Sequence, residues 1–205
     1  MSRTKRLRLV CGVLSLLCLA VAAGRLAVGL APLADPALTT AHVYCQPTRC
    51  WTETDPVRLL PHELREPVLK APDGRARLLA FVRRPEQRMS LAAAEAVRAL
   101  PSALMFLFLG LAFRSLRSGG GFGRSAIVRL RRAAAAALAA VLAQPIADSI
   151  EMTALAPFTL GRSTIFIAFD GSTFFWGMLL AGAVWVAVWA LEQARLTEDE
   201  LAEIV

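Results

Sequence analysis

Cys45 and Cys50 are the first residues of this chain whose type and spacing could do chemistry. Four residues lie between them, Pro47 among them, so two thiols here can close a small disulfide ring in an oxidising compartment. The pair could also exchange electrons, but quinone-linked disulfide oxidoreductases relay electrons from closely spaced C-x-x-C chemistry to a second pair. The other two cysteines, Cys11 and Cys18, stand seven residues apart on one face of an apolar block, where they read as small packing residues. A metal needs ligands that converge. His42 and His62 are the only histidines, twenty residues apart, and with the cysteines they make a scattered set. Neither a metal nor another cofactor is expected, and no catalytic residue is assigned.

A second set consists of ions inside apolar stretches: Arg25, Glu95, Arg98, Asp148 and Glu151. An unpaired charge in hydrocarbon is costly. These residues therefore form either a belt that snorkels to the membrane surface or a polar cluster that locks helices together, Arg25 with Asp148 or Glu151 being one pairing. Glu95 and Arg98 share a helical face.

The third set invites a nucleotide reading. "SLRSGGGFGRSAIVRLRR" (Ser115 to Arg132) holds four glycines and no carboxylate. A P-loop needs G-x-x-x-x-G-K-[ST] and a dinucleotide fold needs G-x-G-x-x-G after a strand; neither is met, and the stretch follows an apolar block. The formal net charge of +7 would point to nucleic acid if it covered a folded surface. It is instead concentrated in Arg3, Lys5, Arg6 and Arg8 before the first apolar block, and in Arg114, Arg117, Arg124, Arg129, Arg131 and Arg132 between the second and third. Direct nucleic-acid binding is not expected; anionic lipid headgroups are the partner that such clusters suit.

The elements that must position these residues follow from hydropathy. Of the 205 residues 56% are hydrophobic and the mean hydropathy is +0.52, an excess that falls into four blocks near the ~20 residues needed to cross a bilayer. The expected fold is an all-α integral membrane protein with four transmembrane helices. The segments read as a basic N-terminus (1–8), first span (9–33), a polar loop of roughly 57 residues (34–90), second span (91–113), basic Gly/Arg connection (114–132), third span (133–152), a short segment (153–172), fourth span (173–191) and an acidic tail (192–205). The first block also has the marks of a signal peptide, but apolar character resumes after Arg25 and extends it to a spanning length. The loop is too proline-rich for long helices; within it Arg75 to Val82 reads as a short strand and His42 to Trp51 as its partner. Thr197 with Glu200 reads as a capping box opening a separate final helix.

Positive charge marks the cytoplasmic side. The basic N-terminus and the basic connection put both termini in the cytoplasm and the long loop outside. The run of arginines, "GGGF" at Gly121-Phe122, "RLRR" at Arg129 to Arg132 and the ending "ALEQARLTEDELAEIV" together resemble the bacterial family catalogued as domain of unknown function 2975. That resemblance implies a four-helix inner-membrane protein with no assigned activity, and a cytoplasmic helix-turn-helix regulator as partner. The expected role is regulation, interaction or sensing without enzymatic activity. A small transporter or channel component using the outer-half charges is the alternative, and a thiol-disulfide oxidoreductase-like membrane enzyme the second.

Overall fold

The computed structural model describes residues 3–34, 41–46, 49–54, 56–60, 62–117 and 124–204. In chain order these form α1 (Arg3–Ala34), β1 (Ala41–Gln46), β2 (Arg49–Thr54), a 3-10 turn (Pro56–Leu59), α2 (His62–Lys70), α3 (Gly74–Val82), α4 (Pro85–Arg117), α5 (Arg124–Leu160) and α6 (Gly171–Ile204). Among the described residues four helices are long and apolar enough to cross a membrane, over Arg8–Ala34, Pro85–Arg117, Ser125–Leu160 and Gly171–Ala194. Their open faces carry Leu16, Leu17, Leu180, Trp176 and Trp189, the surface that a multi-pass membrane protein presents to lipid.

Local chemistry explains where these helices begin and end. Pro85 opens α4, where its missing N–H is one the helix leaves unpaired anyway, and Glu86 in the first turn with Arg114 and Arg117 in the last complement the helix dipole. Gly161 closes α5 in the left-handed conformation, φ 67°, which glycine adopts without strain. Asp170 caps α6. Its Oδ1 accepts from the Ser172 and Thr173 amides at 3.0 and 3.3 Å and from the Ser172 hydroxyl at 2.8 Å, and its Oδ2 accepts from Thr173 Oγ1 at 2.6 Å. These bonds, the one from the Thr173 hydroxyl above all, hold its carboxyl at about 2.

The chain divides into two compact units. One comprises Met1–Leu26, Ala99–Gln144 and Asp170–Val205; the other comprises Ala27–Arg98 and Pro145–Phe169. In the first, small residues set the packing. Ser15 donates to the Gly110 carbonyl at 2.9 Å, and a Cβ on Gly110 would stand 3.1 Å from Leu19 and 3.2 Å from Cys18, a tight fit that favours glycine where α1 and α4 meet. Cys11 and Cys18 belong to this packing. Arg129 of α5 donates to the Leu111 carbonyl of α4 at 2.8 Å, and Gly177 of α6 faces Val141 of α5, which a Cβ would meet at 3.0 Å. The sequential neighbours α1, α4, α5 and α6 thus touch in order.

The second unit has a core of its own, built from Val57, Leu60, Leu78, Phe81 and Val82 with Leu91 of α4 and Ala154 and Leu155 of α5. The Phe81 and Phe158 rings pack 5.4 Å apart. The described residues within 34–90 therefore hold more regular structure than the proline content implied. The expected strand over Arg75 to Val82 is a helix: Leu78, Phe81 and Val82 recur at helical spacing and are all buried, whereas strand alternation would put Phe81 on the face opposite to the other two. Its start depends on Gly74, where a Cβ would lie 2.0 Å from the Val68 carbonyl oxygen. His42 to Trp51 does not pair with it; β1 and β2 form an antiparallel hairpin of their own, with Cys45 opposite Cys50 and Gln46 opposite Arg49.

Further boundaries differ from the sequence reading: α4 begins at Pro85, before the expected span, and residues 114–117 and 124–132 of the expected connection belong to α4 and α5. Residues 153–160 continue α5, because Ala154 and Leu155 are required by the core, and the extended stretch is confined to residues 163–170. The tail is not a separate helix. α6 runs unbroken to Ile204, as its Ala, Glu, Leu and Gln favour, and Thr197 donates its hydroxyl back to the Gln193 carbonyl at 3.1 Å, the bond of a residue inside a helix and not at its cap.

Two measurements check this account. Leu78→Ala should cost about 2–5 kcal/mol, read by denaturation in detergent, with earlier proteolysis within residues 57–82. Because the folded Asp170 carboxyl lies below its usual range, its cap is fully present above about pH 4 and is lost as pH falls toward 2. Carboxyl NMR should show that titration, and Asp170→Asn should abolish the acid-dependent loss of protection at the Ser172 and Thr173 amides.

Candidate functional site

Four ionisable side chains meet between α4 and α5. Arg98 Nη1 donates to Glu95 Oε1, one turn earlier on α4, while Nη2 donates to Asp148 Oδ1 at 2.8 Å and to Glu151 Oε2 at 2.7 Å on α5. All are half-buried, with side-chain exposures of 24% for Arg98, 18% for Glu95, 34% for Asp148 and 22% for Glu151. Each helix contributes its pair at a spacing of three, which puts the two groups on one face. Charge-assisted bonds from a planar guanidinium to several carboxylates are the strong kind.

Helix geometry gives the depth of this cluster. From Arg98 to Arg114 on α4, and from Asp148 to Arg132 on α5, the rise is about 24 Å at 1.5 Å per residue, against a hydrocarbon layer of about 30 Å. No charge interrupts Ala99–Phe113 or Ala133–Ala147. The cluster marks the far end of both apolar stretches.

The structure brings together four of the five expected ions. Arg25 is exposed and belongs to the other unit; Arg98 takes the two carboxylates that could have been assigned to it. Sequence offers no way to choose, since Arg25 stands about as far from Arg8, roughly 25 Å, as Arg98 does from Arg114.

A second feature lies on the opposite face of α5 and was not legible in the sequence. A cavity of about 790 Å³ opens between the start of α4, the C-terminal half of α5 and the extended stretch 163–169. Two α5 hydroxyls hold that stretch: the Phe166 amide donates to Thr153 Oγ1 at 3.0 Å and the Ala168 amide to Ser149 Oγ at 2.9 Å, and Ser149 in turn donates to the Pro145 carbonyl at 2.6 Å. A Ser-x-x-x-Thr spacing facing an apolar extended run is the only trace this leaves in sequence.

Other candidate residues stay apart. Arg8, Arg114, Arg117, Arg131 and Arg132 are exposed; Arg132 lies 5.9 Å from the Phe108 ring and Arg131 3.9 Å from Glu192. Arg3, Lys5, Arg6 and Arg124 fall on α1 and α5, but their side chains lie outside the described residues, as do those of Cys45, Cys50, His42 and His62 and the whole glycine-rich stretch 118–123. Among the described residues no group of three or more His, Cys, Asp or Glu is arranged to hold a metal ion. Comparison with protein-family models, curated proteins and solved structures finds no match to the chain.

Arg98→Met should destabilise the protein by roughly 2–4 kcal/mol, because the carboxylates are left half-buried without their partner. Adding Asp148→Asn and Glu151→Gln should recover part of the loss, as measured by thermal unfolding in detergent.

Proposed function

We propose that this chain is a regulatory or sensing protein of a bacterial inner membrane, with both termini in the cytoplasm and the unit containing residues 27–98 on the outer face. The observation that carries the reading is that this unit has its own core and offers an open, mostly apolar cavity beside a charge-locked helix pair. Receptive surfaces of this kind bind ligands or partners. The orientation rests on the arginines around residues 114–132 and before residue 9, which favour the cytoplasmic side.

The charges themselves support a lock more than a pathway. Asp148 and Glu151 are both bonded to Arg98, and the charge-free stretches Ala99–Phe113 and Ala133–Ala147 provide no next carboxylate for an ion moving inward. On the cytoplasmic side, the basic connection and the acidic end of α6 are the surfaces for a regulator to contact.

A cytoplasm-active reporter fused after Val205 should be active and an export-dependent reporter there silent. The reverse result would overturn the orientation. Crosslinking from residues 114–132 in cells should capture a cytoplasmic protein, and measured turnover of a substrate or quinone by the purified protein would sink the regulatory reading.

A further inference from the structure

Several polar groups in the wall of the cavity beside residues 163–169 are already hydrogen-bonded within the protein. The hydroxyls of Ser149 and Thr153 are already engaged by the Phe166 and Ala168 amides and the Pro145 carbonyl, and Ser90 donates to the Glu86 carbonyl at 3.0 Å. Much of the remaining lining is carbon, from Ile146, Ile150, Ala154, Pro157 and Phe166. A cavity so lined has little to offer water, and its volume is that of a small-molecule site.

Its polarity is ordered along the helices. α4 and α5 run antiparallel here, since Arg98 meets Asp148 while Leu91 shares the core with Leu155. The polar lining groups Glu86 and Gln87 open α4, and Ser163 and Thr164 follow the end of α5, so all four gather at the end where α4 begins and α5 finishes. Pro145, Ile146 and Phe169 line the other end. The extended segment also lies at a membrane boundary in this reading, because only residues 161–170 connect two spans. Its Ile165, Ile167 and Phe169 are 84%, 89% and 62% exposed, which calls for an apolar medium around them.

We propose that this cavity holds an acyl chain of a bilayer lipid, its head toward Glu86, Gln87, Ser163 and Thr164 and its methyl end toward Pro145 and Ile146. The proposal rests on the reading of the chain as a membrane protein. The two-residue step between the bonded amides, about 6.6 Å of extended chain, matches the four-residue step between Ser149 and Thr153, about 6 Å of helix. Residues 163–169 are thereby held as a fixed side wall for the chain.

The test uses the full-length protein in liposomes containing phosphatidylethanolamine with a diazirine on its acyl chain, followed by photolysis and peptide mapping. The expected adducts fall on residues 145–157 and 163–169, and fill-in variants Ile150→Trp and Ile146→Trp each reduce them at least fivefold. A diazirine near the terminal methyl should label 145–150, and one near the carboxyl end 157–164. Labelling of Phe175, Leu179 and Leu180, which are open on α6, reports membrane insertion independently. If α6 is labelled and the cavity is not, or if neither tryptophan variant changes the cavity adducts, the lipid proposal is overturned while the membrane reading stands. If neither region is labelled, both fail.

Discussion

One guanidinium bonded to three carboxylates fixes how α4 and α5 meet. A half-buried carboxylate near hydrocarbon is tolerable only with its partner in place, so Arg98 allows the two helices one axial register and one facing. Two turns farther out along both helices, that same register brings Leu91 of α4 beside Ala154 and Leu155 of α5. These three are the floor on which Leu78, Phe81 and Val82 of α3 and Val57 and Leu60 of the preceding turn pack. A shift of one residue along either helix would rotate the floor by about 100° and separate Arg98 from its acceptors at once. The polar lock and the apolar core are therefore one constraint expressed twice.

The C-terminal half of α5 serves two surfaces because its faces differ in kind. Asp148, Glu151 and Leu155 face the lock and the core; Ser149 and Thr153 face the extended stretch. Serine and threonine are poor at stabilising a helix interior, since their hydroxyls compete for backbone groups. Here that competition is useful, because those hydroxyls accept amides from a segment that has no strand beside it among the described residues. Pro145 and Pro157 lie within the same half of α5, and a proline lacks the N–H that would bond four residues back. This part of α5 is held by tertiary contacts more than by its own hydrogen-bond ladder.

How much of this could be read in the sequence depends on the range of the interaction. The four apolar helices are legible because span length and hydropathy are local quantities, and the depth of Arg98, Asp148 and Glu151 is legible because rise per residue is constant. The choice of Arg98 over Arg25 is not, since both satisfy the depth rule and only packing decides. Arg75 to Val82 misleads because a short apolar run fits either period; the helical spacing of Leu78, Phe81 and Val82 gains meaning only once α4 and α5 supply something to bury them against. The prolines of residues 34–90 do not prevent short helices: α3 fits between Pro72 and Pro85, α2 runs through Pro67, and Pro85 itself opens the long α4. The cavity is barely marked in the sequence, because the start of α4 that completes it lies some 55 residues before the part of α5 and the following stretch that form the rest.

The two units also differ in what sets their specificity. In the first, Gly110 against Leu19 and Cys18, Gly177 against Val141, and the buried alanines of α5 between Ala126 and Ala143 achieve close approach by being small, and dispersion contacts of this kind have little directional preference. The buried polar bond from α1 to α4, Ser15 to the Gly110 carbonyl, does carry direction. In the second unit direction comes from charge and hydroxyl bonds throughout. A helix pair that is alike at every level in its small residues could slide; the same pair pinned by Arg98 cannot. The unit best suited to present a defined surface to a ligand is thus the one in which polar chemistry, and not helix smoothness, sets the geometry.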